Sequence, residues 1–145
     1  REKRGLVYTI SADQYSYTDA GMLTVYAGTG PKEVAELLPV VCAELKKAAS
    51  TITEEEVNRS INQMQAGLLM GLESTSHRCE RLAKQMHLFG RVIPMEEVLE
   101  KLGRVNVKSV QAACKNVLLG KPTLTTLGLV EHVMTYDDLV ADLAA

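Results

Sequence analysis

Apolar residues recur along this chain with two different periods. Over 6–13 (LVYTISAD) β-branched and aromatic residues partly alternate with polar ones, which predicts a strand. A polar turn region follows over 14–21 (QYSYTDAG), and 22–29 (MLTVYAGT) predicts a second strand. Together they predict a β-hairpin with a long, tyrosine-bearing loop. From Pro31 the period changes. Val34, Leu37, Leu38, Val41 and Leu45 share one side of a helix predicted over 31–49, with Pro31 at its start. Val57, Ile61, Met64 and Leu68 mark a second helix. Cys79, Leu82, Met86 and Phe89 mark a third, which Gly90 stops. Val98, Leu99 and Leu102 form the inward side of a short helix over 94–102, and Val110, Cys114 and Val117 that of another. PTLTTLGLV at 122–130 predicts a third strand, and a short helix closes the chain.

The polar residues between these runs read as helix starts. Thr53-Glu54-Glu55-Glu56 is a capping box: the threonine hydroxyl accepts from the N3 amide while Glu56 reaches back to the cap amide. Its acidic first turn suits the helix dipole. Ser74-Thr75-Ser76 predicts a bend or restart, Asn106 a further cap, and Thr135-Tyr136-Asp137-Asp138 the start of the last helix. The order β-β-α-α-α-α-β-α predicts an α+β fold, a mostly antiparallel sheet with helices packed on one face. Three strands are few for so many helices, and Arg1 opens the chain without an initiator methionine. Both features predict that residues 1–145 are a single domain cut from a longer protein, with its remaining strands upstream.

Composition narrows the function classes. The chain has no Trp, one Phe and five Tyr, so its core is built from aliphatic residues and methionine. Its formal charge is −2, and it has no long basic run or aromatic-rich surface, which argues against nucleic acid as a partner. No apolar run approaches the roughly 20 residues of a membrane span. Cys42, Cys79 and Cys114 are odd in number and widely spaced, which fits neither a disulfide framework nor a metal clip. Each lies in an apolar helical pattern and reads as a small core residue of a protein in a reducing compartment.

Candidate chemistry is sparse. His77-Arg78-Cys79-Glu80 lacks the second histidine that a zinc helix needs four residues away, and position 81 is Arg. His87 stands ten residues further on, about 15 Å along a helix axis, and His132 has no neighbouring ligand. No metal site is expected in this chain. No Ser, Cys or His lies in a nucleophile elbow. Gly28-Thr29-Gly30 lacks phosphate-loop spacing and reads as a turn. Two polar groups remain at the start, Arg1 and Tyr8. By spacing alone they are a solvated charge and a strand residue.

Three segments change that reading: REKRGLVYTISA, AGMLTVYAGTGP and TEEEVNRSINQMQAGLLMGLESTSHRCERLAKQ. In this order they resemble the C-terminal lobe of insulinase/pitrilysin-type zinc peptidases, most of all mitochondrial processing peptidase and its bacterial relatives. The resemblance runs over nearly the whole chain. It implies a half-unit of a two-lobed metallopeptidase whose lobes enclose a chamber for extended peptide. It implies that zinc and its HxxEH motif belong to the other lobe, in the same polypeptide or a partner chain. It also implies an R-x6-Y pair at the substrate, which falls here on Arg1 and Tyr8, as substrate-binding and catalytic groups. When zinc-activated water attacks a peptide carbonyl, charge develops on its oxygen. A Tyr hydroxyl and an Arg guanidinium aimed there stabilise it, one donor contributing ~3 kcal/mol. Arg4 competes with Arg1 for this role, and strand register decides between them.

Two readings follow. One is the substrate-binding lobe of a zinc endopeptidase acting on peptide or unfolded protein, inactive by itself. The other is a non-catalytic scaffold or core-subunit-like member of the same family. An unrelated α+β binding module is a third possibility. The expected setting is the bacterial cytoplasm, with the mitochondrial matrix as alternative. The exposed sheet edge admits a homodimer.

Overall fold

The computed structural model describes every residue except Arg1, Lys3 and Ala145. Its elements run β1 (Thr9–Ser16), β2 (Gly21–Gly28), α1 (Val34–Thr51), α2 (Glu54–Gly71), α3 (Thr75–Phe89), α4 (Met95–Gly103), α5 (Val107–Leu118) and α6 (Tyr136–Ala144). The fold is α+β, as expected. The described residues divide into two compact units. One comprises residues 1–51 with 111–145, the other residues 52–110.

In the first unit β1 and β2 pair antiparallel in a register from Thr9↔Gly28 to Ser16↔Gly21. The hairpin is tighter than the sequence predicts. Tyr17 N–H donates to Ala20 C=O at 2.8 Å, so only Thr18 and Asp19 lie beyond that bond. Residues 14–16 belong to the strand. They read as loop because neither side of this stretch is buried, so no hydrophobic alternation marks it. Opposite residues share a side of the ribbon. Ile10, Ala12 and Gln14 therefore stand with Ala27, Val25 and Leu23.

The α1 stripe Val34, Leu37, Leu38, Val41 and Leu45 is half-buried as predicted, and α1 continues through Pro39. Proline in a helix interior removes one N–H and crowds the carbonyl four residues back. The helix holds through its packing on α6. Cys42 (1% exposed) and Ala49 on α1 are buried, as is Leu139 on α6. Lys46 Nζ clamps this contact, donating to the Asp142 carboxylate at 2.6 Å and to the Asp142 carbonyl at 2.8 Å. Burial raises the Cys42 thiol pKa, and the Asp142 carboxylate raises it further. The hydrogen bond from Lys46 lowers the Asp142 pKa. Tyr136 Oη donates to Pro122 C=O at 2.9 Å and ties the start of α6 to the preceding segment.

The third strand predicted at 122–130 does not form among the described residues. A strand exists only where a neighbouring backbone accepts and donates its ladder bonds. Here β1 and β2 pair only with each other. Leu127 is fully exposed and Leu129 largely so.

In the second unit the predicted capping box is complete. Glu56 N–H donates to Thr53 Oγ1 at 3.2 Å, and Thr53 N–H donates to Glu56 Oε2 at 2.9 Å. Ser74 Oγ accepts from His77 N–H at 3.3 Å and restarts the chain as α3. Gly90 ends α3 with φ 65°, where a side chain would strain the backbone. Asn106 Oδ1 caps α5 by accepting from Ser109 N–H at 3.1 Å.

The predicted inward side of α3 is wrong. Cys79, Leu82, Met86 and Phe89 are exposed, whereas Gln85 is buried and Arg81 half-buried. Gln85 turns inward because its Oε1 accepts from Ile93 N–H at 3.0 Å, which satisfies a loop amide between α3 and α4. Cys79 is thus no core residue, and Cys114 is only half-buried. Met64 on α2 and Val117 on α5 are likewise exposed.

Two predictions follow from these local bonds. Thr53→Ala removes the hydroxyl that accepts from Glu56 N–H, leaves the backbone half of the box in place, and should cost about 1 kcal/mol in urea unfolding. Glu97 is gripped by Arg91 through two 2.8 Å bonds and by Lys101 through a third. These hydrogen bonds hold its carboxyl down from 4.5 to about 2. A depressed carboxylate stabilises the fold above its unfolded pKa, and that contribution is lost as pH falls. The melting temperature should therefore drop between about pH 4.5 and about pH 2. Glu97→Gln should shrink that drop.

Candidate functional site

The backbone positions Tyr8 before its chemistry matters. Tyr8 N–H donates to Gly28 C=O at 2.8 Å, which carries the hairpin pairing one residue beyond the ladder. Thr29 Oγ1 donates to Leu6 C=O at 2.5 Å, and Val7 between them is buried. Segment 6–8 is thus fixed on both sides of Val7 to the chain leaving β2. The Tyr8 side chain itself is 75% exposed. An exposed aromatic on a pinned backbone is free to meet a ligand without first being ordered.

Gly30 lies beneath the phenol. A β-carbon at Gly30 would stand 3.1 Å from Tyr8 Oη and 2.5 Å from Glu33 Oε2, so the ends of those two side chains would have to move to admit it. The hydroxyl and the carboxylate therefore flank one point on the surface of a buried glycine. Glu33 sits one residue before α1, on the turn that opens with Pro31. The hairpin end supplies the donor, and the start of α1 supplies the acceptor.

The partner expected for Tyr8, Arg1, lies outside the described residues. Arg4 is described and exposed, and among the described residues it makes no ion pair. Glu33 was not singled out from the sequence. Its signal there is faint: Gly30 reads as turn punctuation, and only the folded backbone shows that the glycine makes room for two oxygens.

The histidines stay apart in role. His77 and His87 are exposed near opposite ends of α3, and His132 is exposed in the turn before α6. Among the described residues no three His, Cys, Asp or Glu side chains come together to hold a metal ion. The side chains described do not fit a catalytic zinc. A cleft of about 180 Å³ in the second unit is lined by Gly67, Gly71, His77, Arg78 and Arg81. The buried Arg81 Nε has no hydrogen-bond partner there. Among the described residues no helix is long and apolar enough to cross a membrane.

The chain is similar to several known proteins. Residues 1–64 match the family described as the Peptidase M16 inactive domain. An uncharacterized zinc protease of Streptomyces coelicolor is 31% identical over 88% of this chain and 28% of its own length. The zinc protease YmxG of Bacillus subtilis is 33% identical over 81% of the chain and 29% of its own. The mitochondrial-processing peptidase subunit beta of Bos taurus is 27% identical over 95% and 28%. The chain thus spans less than a third of the length of these relatives. A chain of the solved structure titled "Complex III2 from Candida albicans, Inz-5 bound" superposes with a TM-score of 0.86 at 21% identity. That superposition covers 98% of this chain and 34% of the other, and shows a shared fold. In sequence this chain is similar to zinc proteases and a processing-peptidase subunit over most of its length, and over residues 1–64 to the Peptidase M16 inactive domain.

Proposed function

We propose that this chain is the substrate-binding, non-zinc lobe of a two-lobed zinc metalloendopeptidase. The observation that carries the reading is Tyr8: an exposed phenol on a backbone held by Gly28 and flanked by Gly30. The likeness to zinc proteases over most of the chain supports it. So do the large apolar side chains left exposed on α2 and α3 and, in the other unit, at 127–130, since exposed apolar surface suits contact with further protein. In this reading residues 1–145 are one truncated domain, and zinc and the general base belong to another lobe, in the same polypeptide or a partner chain. The fragment by itself is inactive.

The work left to this chain is to hold an extended peptide of a substrate polypeptide and to present an O–H donor to one of its carbonyl oxygens. As that carbonyl is attacked, its oxygen gains negative charge. A donor already in place strengthens its hydrogen bond at that moment and so favours the transition state over the bound substrate. Arg1 is proposed as the second donor. Its guanidinium fork suits a carbonyl or carboxylate of the bound chain. The proposed setting is the bacterial cytoplasm, or the mitochondrial matrix, and pairing of two copies through the hairpin edge is compatible with the exposed β1.

A second reading is a non-catalytic, scaffold-like relative. It is favoured by the match to a domain described as inactive and by the likeness to a chain of a multi-subunit complex. A cleavage assay separates the two. In the full-length zinc-loaded protein, Tyr8→Phe should lower kcat on a quenched fluorescent peptide by about a hundredfold with unchanged zinc content. Equal rates would remove Tyr8 from the reaction. No cleavage by wild type would favour the scaffold.

A further inference from the structure

We infer that Glu33 is a second peptide-binding group, acting with Tyr8 across Gly30 to grip the backbone of one residue of an extended peptide. The inference rests on the reading of Tyr8 as a substrate-binding group and adds to it the acceptor, the shape of the contact and the kind of selectivity that results.

The two side chains are complementary in kind. A phenol donates one O–H, and an ionised carboxylate only accepts. In an extended chain the N–H and C=O of one residue point to the same side, which is why paired strands exchange both bonds at one position. Tyr8 Oη and Glu33 Oε2 both lie close to the point where a Gly30 side chain would begin. A peptide residue laid over Gly30 meets a donor for its carbonyl and an acceptor for its amide. Neither group is committed elsewhere. Among the described residues the Glu33 carboxylate makes no ion pair, and no hydrogen bond engages it or Tyr8 Oη. Glu33 is half-buried, and an ionised carboxylate accepts stronger hydrogen bonds than a neutral group does.

Gly30 is the third part of the device. It is buried, and a β-carbon there would collide with the Glu33 carboxylate and crowd the Tyr8 hydroxyl. The space a side chain would take is filled by the two polar ends, so the absence of a β-carbon lets the Glu33 carboxylate and the Tyr8 hydroxyl stand near one another. A site that reads only an amide and its carbonyl ignores side chains. It takes many sequences but requires one unblocked N–H, so it rejects proline at that position.

The test uses the full-length protein and a fluorescein-labelled, unstructured Ala/Ser-rich peptide, with affinity read by anisotropy and folding checked by thermal melt. Glu33→Ala and Gly30→Ala should each weaken binding roughly tenfold or more, the loss expected for a charge-assisted hydrogen bond. Glu33→Gln, which keeps a carbonyl acceptor, should recover part of the loss. A scan of the peptide with one N-methyl group at a time should find a position that weakens binding to wild type but not to Glu33→Ala. A structural role for Glu33 would not produce that pattern. If Tyr8→Phe weakens binding while both Glu33→Ala and Gly30→Ala bind as wild type, Glu33 is not a ligand group and Tyr8 acts without it. If all three bind as wild type, the reading of Tyr8 itself has failed. A flat methyl scan with weakened variants would mean that Glu33 acts on the fold and overturns the inference.

Discussion

Backbone amides and carbonyls removed from water must find partners, and that requirement settles more of this structure than burial does. Pairing alone places 14–16 in β1, although none of these residues is buried, because β2 offers them a complete ladder. It denies strand structure to 122–130, which has the right residues but no paired neighbour. It turns Gln85 inward to serve Ile93 N–H at the expense of an apolar stripe. It also holds the chain at Tyr8: two bonds, from Tyr8 N–H to Gly28 and from Thr29 to Leu6, restrain the backbone whose phenol reaches Gly30.

Legibility in the sequence follows the range of the interaction. The helix starts at Thr53, Ser74, Asn106 and Thr135 were readable because a cap and its target lie three residues apart and need nothing else. The stop at Gly90 was readable for the same reason. The α1 stripe was readable because α6 covers it. The α3 stripe was misread: period shows where apolar residues gather along a helix but not whether anything packs on them. The third strand was misread because propensity describes a residue's fitness for a sheet and cannot supply the partner.

The site divides in the same way. Tyr8 was singled out through a family resemblance, and the structure shows it exposed on a restrained backbone. Arg1 lies outside the described residues. Glu33 could not come from spacing, since its meaning depends on a glycine three residues earlier and a tyrosine on the other side of the hairpin. A glycine whose missing β-carbon would touch two polar atoms is a three-dimensional signal with no one-dimensional trace beyond the letter G.

The second unit carries Met64, Met70 and Met86 at its surface, all more than half exposed. A thioether is the most easily oxidised of the apolar side chains, and its sulfoxide is polar and bulky. Peroxide would therefore alter the adhesive character of α2 and α3 while leaving Val57, the buried apolar residue of that unit, untouched. The surface chemistry of this unit is in this sense coupled to the redox history of its surroundings, through side chains that stand outside its buried residues.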